Sequence, residues 1–287
     1  MLTSPKILHL EPTDVCNLEC PLCARVVDTE FNSAHQNHLN VNQIKALFSV
    51  DEIKCLDKMF MCGNYGDPAA GKFTLELYRY FREVNTNIIL GMNTSGSLRN
   101  VEWWIELAHI LNKSKDYVVF SIDGLEDTNH IYRVNSIWDK IITNATAFIR
   151  AGGQAHWDML VYRHNEHQVE AAIQLARQIG FKWFRTKVSK RPLVNGLETP
   201  VHWVKPSITL GTIDCIALRE QSLYVDATGR ISPCCWLGAR KSNFIADFDQ
   251  VKASWLSDKP EPTCLMTCGT RSNISNFENQ WTSEVEL

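Results

Sequence analysis

Between residues 5 and 190 short apolar runs alternate with longer stretches of helical periodicity, and that order restricts the chain more than any other feature. Strands are expected at 7–10, 58–61, 87–90, 117–121, 156–161 and 182–186, and helices at 41–48, 73–84, 101–111, 137–151 and 169–179. The last helix carries Val169, Ala172, Leu175, Ala176 and Ile179 on one face and then meets Gly180 as a stop. Such alternation implies parallel strands with helices outside. Six strands suit an α/β fold of the partial (β/α)6 TIM-like type, open and not closed at eight strands. Functional groups then belong where strands end and loops begin.

After about residue 190 the pattern changes. Ser222-Leu223-Tyr224-Val225, a turn through Gly229, and Arg230-Ile231-Ser232 read as a β-hairpin, with a helix near 251–256. The expected division is a barrel over 1–190 and a small C-terminal unit over 191–287, in line with about two domain equivalents for 287 residues. A C-terminal segment with so weak an apolar pattern gains from a metal cross-link.

Composition removes several classes. Hydrophobic residues make up 45%, enough for a sizeable core. With 29 Lys+Arg against 32 Asp+Glu, there is no electrostatic reason to expect bulk nucleic-acid binding or a polybasic membrane anchor. The first residues lack a signal peptide's basic and apolar regions, and no run approaches a membrane span. A cytoplasmic location is the default expectation. There thiols stay reduced, so ten cysteines read as metal-binding or catalytic before they read as disulfides.

Three of them, in Cys16-Asn17-Leu18-Glu19-Cys20-Pro21-Leu22-Cys23, form a C-x3-C-x2-C run directly after the first expected strand. Three thiolates on one loop suit three irons of a cubane cluster and leave the fourth iron open. Zinc with a borrowed ligand, a redox pair or free thiols are the alternatives, and zinc more often uses C-x2-C pairs. Cys215, Gly229 and Cys234 make a C-x13-G-x4-C segment, followed by Cys264 and Cys268. These four thiolates match a saturated [4Fe-4S] cluster or a zinc ion. Adjacent strand residues point to opposite faces, so Cys234 is taken as a ligand and Cys235 is left out. Cys62 reads as a small buried hydrophobe, and Cys55 has no assignment.

The Cys16-to-Cys23 run resembles the cluster loop of the radical S-adenosylmethionine (radical SAM) enzymes, and the resemblance covers most of residues 5–190. Gly63-Asn64-Tyr65-Gly66-Asp67-Pro68 stands where that family has a Gly-Gly-Glu-Pro-like stretch whose backbone meets the cofactor's methionine amine. Asn93-Thr94-Ser95-Gly96 is similar to the family's Thr-Asn-Gly segment. Ser121-Ile122-Asp123-Gly124, with Arg133 downstream, matches the region that reaches the ribose and methionine carboxylate. The resemblance therefore implies cofactor contacts at Gly63, Tyr65, Gly66, Asp67, Asn93, Ser95, Ser121, Asp123 and Arg133. Taken singly, Gly63 and Gly66 also fit an ordinary turn, Asp67 a helix cap, and Arg133 a salt bridge. The chain departs from the pattern at Leu22, where an aromatic is common, at Tyr65, and at Asp67, where Glu is commoner. The C-terminal segment resembles the auxiliary-cluster domains SPASM and, with only Cys264 and Cys268 downstream, its shorter form Twitch.

The resemblance implies S-adenosylmethionine and two [4Fe-4S] clusters as cofactors, with an external one-electron donor such as flavodoxin or ferredoxin. One electron cleaves the sulfonium, and the resulting 5'-deoxyadenosyl radical takes a substrate hydrogen. An oxidoreductase or maturase acting on a small polar metabolite or a peptide side chain is the leading expectation. The early position of Cys16 tilts it toward the small molecule. Two alternatives are a radical SAM transferase or epimerase, and a non-enzymatic iron-sulfur or zinc-stabilised binding protein. No catalytic base is assigned, since Asp123, Asp158, Arg163 and His164 are not ranked by sequence.

Overall fold

The structure, a computed structural model, describes residues 5–29, 31, 32, 34, 36–189, 191, 193, 194, 196–201, 213–238, 244–269 and 285–287. Six parallel strands form its centre: β1 Ile7–Leu10, β2 Lys58–Met61, β3 Ile89–Thr94, β4 Tyr117–Ser121, β5 Ala155–Leu160 and β6 Trp183–Lys187. The C-terminal hairpin, β7 Ser222–Val225 and β8 Ile231–Ser232, joins the same sheet, because β7 pairs in parallel with β1. At the other edge β9 Val285–Glu286 lies antiparallel to β6, and the order is β8-β7-β1-β2-β3-β4-β5-β6-β9. This is a partial β/α barrel.

Strand alternation divides the sheet chemically. Leu8, Leu10, Met59, Met61, Leu90, Met92, Val118, Phe120, Trp157, Met159 and Phe184 belong to one cluster with Leu77, Phe81, Trp104 and Phe148 of the covering helices. The intervening residues, His9, Phe60, Val119, Asp158, Arg185 and Tyr224, face the opposite, concave side. Helix ends are set locally. Asn40 with Gln43, and Ser49 with Glu52, form capping boxes, while Gly180 ends the helix Val169–Ile179 at a left-handed φ of 99°.

Three sequence expectations need correction. The third strand runs Ile89–Thr94, not 87–90. Asn85 holds the carbonyls of Ile53 and Leu56 and accepts the Asn87 amide, so this stretch is a turn before the strand. Gly91 is tolerated inside the strand because the Tyr117 ring fills the space its Cβ would take, 2.4 Å away. The helix expected at 251–256 runs Phe244–Ser254, with Phe248 and Val251 packed against Leu237 and Cys264. Asp67 does not cap the helix Thr74–Val84; it caps the short turn Pro68–Ala70 through the Ala69 amide. Residues 270–284, within the expected C-terminal unit, lie outside the described residues.

Trp104 is, with Trp157, one of the two largest fully buried side chains among the described residues; it packs against Phe120 at 5.2 Å and donates its indole N–H to the Leu98 carbonyl. Trp104→Ala is expected to destabilise the fold by about 3–5 kcal/mol in urea unfolding. Leu256→Ala, at a side chain 92% exposed, is expected to stay within about 0.5 kcal/mol.

Candidate active site

The Cys16, Cys20 and Cys23 loop leaves the C-terminal end of β1. Its leucines anchor it: Leu18 and Leu22 are buried with Tyr132, Tyr162 and Leu197, and Cys16 and Cys23 pack against the same cluster. The three thiols act on one another electrostatically. Burial pushes Cys16 up to about 12, helped by the nearby Asp67 carboxylate. Cys20 is also raised by burial, but the Arg133 guanidinium, 3.9 Å from its sulfur, favours the thiolate. A thiolate is the form that ligates a metal, and a bound cation would favour it at Cys16 and Cys20.

Against this loop lies the 63–68 segment. Gly63 and Gly66 are required by space: a Cβ on Gly63 would meet the Gly66 carbonyl at 2.0 Å, and one on Gly66 the Thr13 carbonyl at 1.9 Å. The buried Glu11 carboxylate accepts the amides of Tyr65 (2.7 Å) and Gly66 (3.0 Å) and the Tyr224 hydroxyl. A peptide unit's N–H and C=O point in opposite directions. The Asn64 and Tyr65 carbonyls therefore turn toward the cysteine loop, where Asn64 O lies 3.5 Å from the Cys23 sulfur and Tyr65 O 3.5 Å from Arg25. The Tyr65 hydroxyl donates to Asp28, and its ring stacks on Phe31 at 4.7 Å.

The end of β3 adjoins this segment, and the end of β4 lies beside Cys20. Asp67 accepts the Thr94 hydroxyl (2.7 Å) and the Ser95 amide (2.8 Å), locking the end of β3 to the 63–68 segment. Asn93 lies within β3, and Asn93 and Ser121 are half-buried at strand ends. Asp123 and Arg133 engage each other at 2.5 Å, and the other Asp123 oxygen accepts the Leu160 amide. Both thus serve the wall beside Cys20 through their own ion pair.

A second group of thiols gathers elsewhere. Cys215, Cys234, Cys264 and Cys268 line one cavity of about 40 Å³, with Ile213, Leu237 and Phe248. Burial pushes Cys234 up to about 12 and Cys264 to about 11. Cys235 also borders the cavity, yet its thiol interacts with Cys62 and Glu11 toward the barrel, while that of Cys234 interacts with Cys215 and Cys264. Among the described residues no three His, Cys, Asp or Glu side chains converge on a single ion position.

Sequence reading missed Glu11, Asn64 and Tyr224, which bind the two regions together. Asn64 donates to the Tyr224 oxygen (3.2 Å) and to the Cys235 carbonyl (2.7 Å). The signal for Glu11 was present: His9 and Glu11 are polar at alternate positions of an apolar strand end.

Among solved structures, the chain is similar to SuiB of Streptococcus suis bound to S-adenosylmethionine (TM-score 0.58, 15% identity, covering 88% of this chain and 66% of that one). It is similar also to SuiB bound to its precursor peptide SuiA (TM-score 0.61, 14% identity, 88% and 65%). Native anSMEcpe with bound AdoMet matches at TM-score 0.56 and 16% identity, over 80% of this chain and 74% of that one. The fold is that of the radical SAM enzymes. The chain spans about 66% of the length of SuiB. No protein-family model matches, and no curated protein matches.

The Glu11 carboxyl gives this radical SAM fold a pH signature. Burial raises it from 4.5 to about 7, against the Tyr224, Tyr65 and Gly66 hydrogen bonds that lower it. The folded chain then holds a proton that the unfolded chain releases, so stability falls as pH rises from about 4.5 to about 7. Glu11→Gln keeps an oxygen for the two amides and is expected to flatten that part of the slope. Urea unfolding across this range checks it, and an unchanged slope would count against the assignment.

Proposed function

We propose that the chain is a radical SAM enzyme, an oxidoreductase or maturase that abstracts hydrogen from a peptide side chain or a small polar metabolite. The observation that carries this reading is the meeting of the Cys16, Cys20 and Cys23 loop with the outward-turned Asn64 and Tyr65 carbonyls, at the C-terminal mouth of a partial barrel. Cys16, Cys20 and Cys23 would hold a [4Fe-4S] cluster, as soft thiolates suit that metal chemistry. With S-adenosylmethionine bound and a flavodoxin- or ferredoxin-like donor, that cluster would supply the one electron that splits the sulfonium into methionine and a 5'-deoxyadenosyl radical.

The chain's own residues bind and shield. The carbonyls over Gly63, Tyr65, Gly66 and Asp67 would accept the methionine amine, as Glu11 already occupies two amides of that segment. Asn93, Ser95 and Ser121 would contact the nucleoside from the ends of β3 and β4. Asp123 holds Arg133, whose charge would stabilise the Cys20 thiolate and a nearby carboxylate. Leu18, Leu22, Tyr132 and Tyr162 would keep water from the reacting centre.

In this reading residues 1–190 are the catalytic barrel and 191–287 an auxiliary unit. Cys215, Cys234, Cys264 and Cys268 would bind a second [4Fe-4S] cluster around their shared cavity. Similarity to SuiB with SuiA bound, and to anSMEcpe with the Cp18Cys peptide bound (TM-score 0.51), supports a peptide substrate.

Anaerobic reconstitution is expected to load about eight irons per chain. Replacing Cys16, Cys20 and Cys23 together by Ala should leave about four, and so should replacing the other four. S-adenosylmethionine should alter the electron paramagnetic resonance signal of the variant lacking the auxiliary thiols and leave the other unchanged. About four irons in the unaltered chain, lost only with the first three cysteines, would remove the second cluster from the account.

A further inference from the structure

Strands β5 and β6 carry an ion network that the cofactor-facing residues do not use. Asp158 stands beside Arg185 and Leu160 beside Lys187 in the parallel register. Alternation puts Asp158, Arg185 and Lys187 on one face, opposite Trp157, Met159 and Phe184 of the helix-covered core. Arg185 grips Asp158 through both carboxylate oxygens, at 3.0 and 2.8 Å, and Lys187 donates to one of the same oxygens. One carboxylate is thus shared by two cations.

Burial works against ionisation of Asp158, but Lys187 and Arg185 outweigh it and hold its carboxyl below the usual range. The bidentate Arg185–Asp158 pair is neutral by itself, so Lys187 brings a surplus positive charge. Exposure is graded to match: Asp158 and Arg185 side chains are 7% exposed, and Lys187 is 38% exposed. Burial already lowers the Lys187 ammonium from its ordinary range, Asp158 opposes that, and Arg185 adds to it. Lys187 shares its only described carboxylate partner with Arg185, so the half-buried trio carries a net positive charge that an incoming anion offsets.

Lys187 ends β6, so it opens at the same end of the barrel as the cysteine loop after β1. Its ammonium is within electrostatic reach of Cys62, the residue after β2 that precedes Gly63. Lys187 and the 63–68 segment thus both lie at the C-terminal end of the parallel strands. We infer that Lys187, buttressed by the Asp158–Arg185 pair, recognises a carboxylate on the substrate. The inference rests on the catalytic reading of the barrel and narrows the class of substrate. One point-like ammonium matches one singly charged carboxylate, whereas a phosphate dianion calls for further donors or a guanidinium fork.

The test titrates the reconstituted full-length chain with butyrate, neutral butyramide or inorganic phosphate by anaerobic calorimetry, without reductant. Butyrate is expected to bind saturably, and butyramide not. Lys187→Gln should weaken butyrate by about tenfold or more, and Lys187→Arg should retain most of it. Butyrate, and not butyramide, should also slow acetylation of Lys187 in the unaltered chain, a readout that stands whether or not Lys187→Gln folds. No saturable butyrate binding, equal binding in Lys187→Gln, unchanged acetylation, or tighter binding of phosphate would each overturn the carboxylate assignment. Because no reductant is present, this result is independent of S-adenosylmethionine cleavage, and failure of that cleavage would sink the catalytic reading alone.

Discussion

The buried Glu11 carboxylate joins three parts of the chain that are far apart in sequence. It sits one residue beyond β1, holds the amides of Tyr65 and Gly66, and takes the hydroxyl of Tyr224 on β7. Burying a carboxyl group is unfavourable unless its hydrogen bonds are satisfied; here all three partners converge on one group. Its position explains why β7 docks in parallel beside β1, and why the 63–68 segment turns its carbonyls toward the cysteines. Removing the carboxyl would leave two buried amides without an acceptor, which costs more than the hydrogen bonds themselves contribute.

The same contacts couple the two thiol sites. Asn64 lies 3.5 Å from Cys23 through its carbonyl and donates to the Cys235 carbonyl through its side chain. Cys234, next in sequence, borders the second cavity. One residue therefore spans the loop of the first site and the backbone of the second. The concave face mixes His9, Asp158 and Arg185 with Phe60 and Val119, and the convex face is apolar under its helices. That division leaves the barrel's mouth free for chemistry while the core supplies stability.

Much of the architecture was legible in the sequence because burial on one strand face and one helix face imposes regular periods. The order of six strands and their helices follows from that pattern. The start of β3 was not legible. An Asn85 side-chain turn and a glycine filled by Tyr117 override the apolar run that begins at Ile88. The cysteine clusters were legible as spacing, but the cavity shared by Cys215, Cys234, Cys264 and Cys268 depends on packing among short helices that carry little local pattern. Glu11, Asn64 and Tyr224 were invisible as a group, since their meeting depends on the pairing of β7 with β1, a contact across more than two hundred residues. The Asp123–Arg133 pair shows the reverse: both residues stand in matching segments, yet the structure has them engage one another.

The central claim is that the loop after β1 supports reductive cleavage of S-adenosylmethionine. Its most direct test is the formation of 5'-deoxyadenosine and methionine by the anaerobically reconstituted chain with dithionite. The account predicts both products from the unaltered chain and none after Cys16→Ala, with cleavage persisting after Cys234→Ala. A fully iron-loaded chain that forms no 5'-deoxyadenosine, or a Cys16→Ala chain that still forms it, would contradict the account.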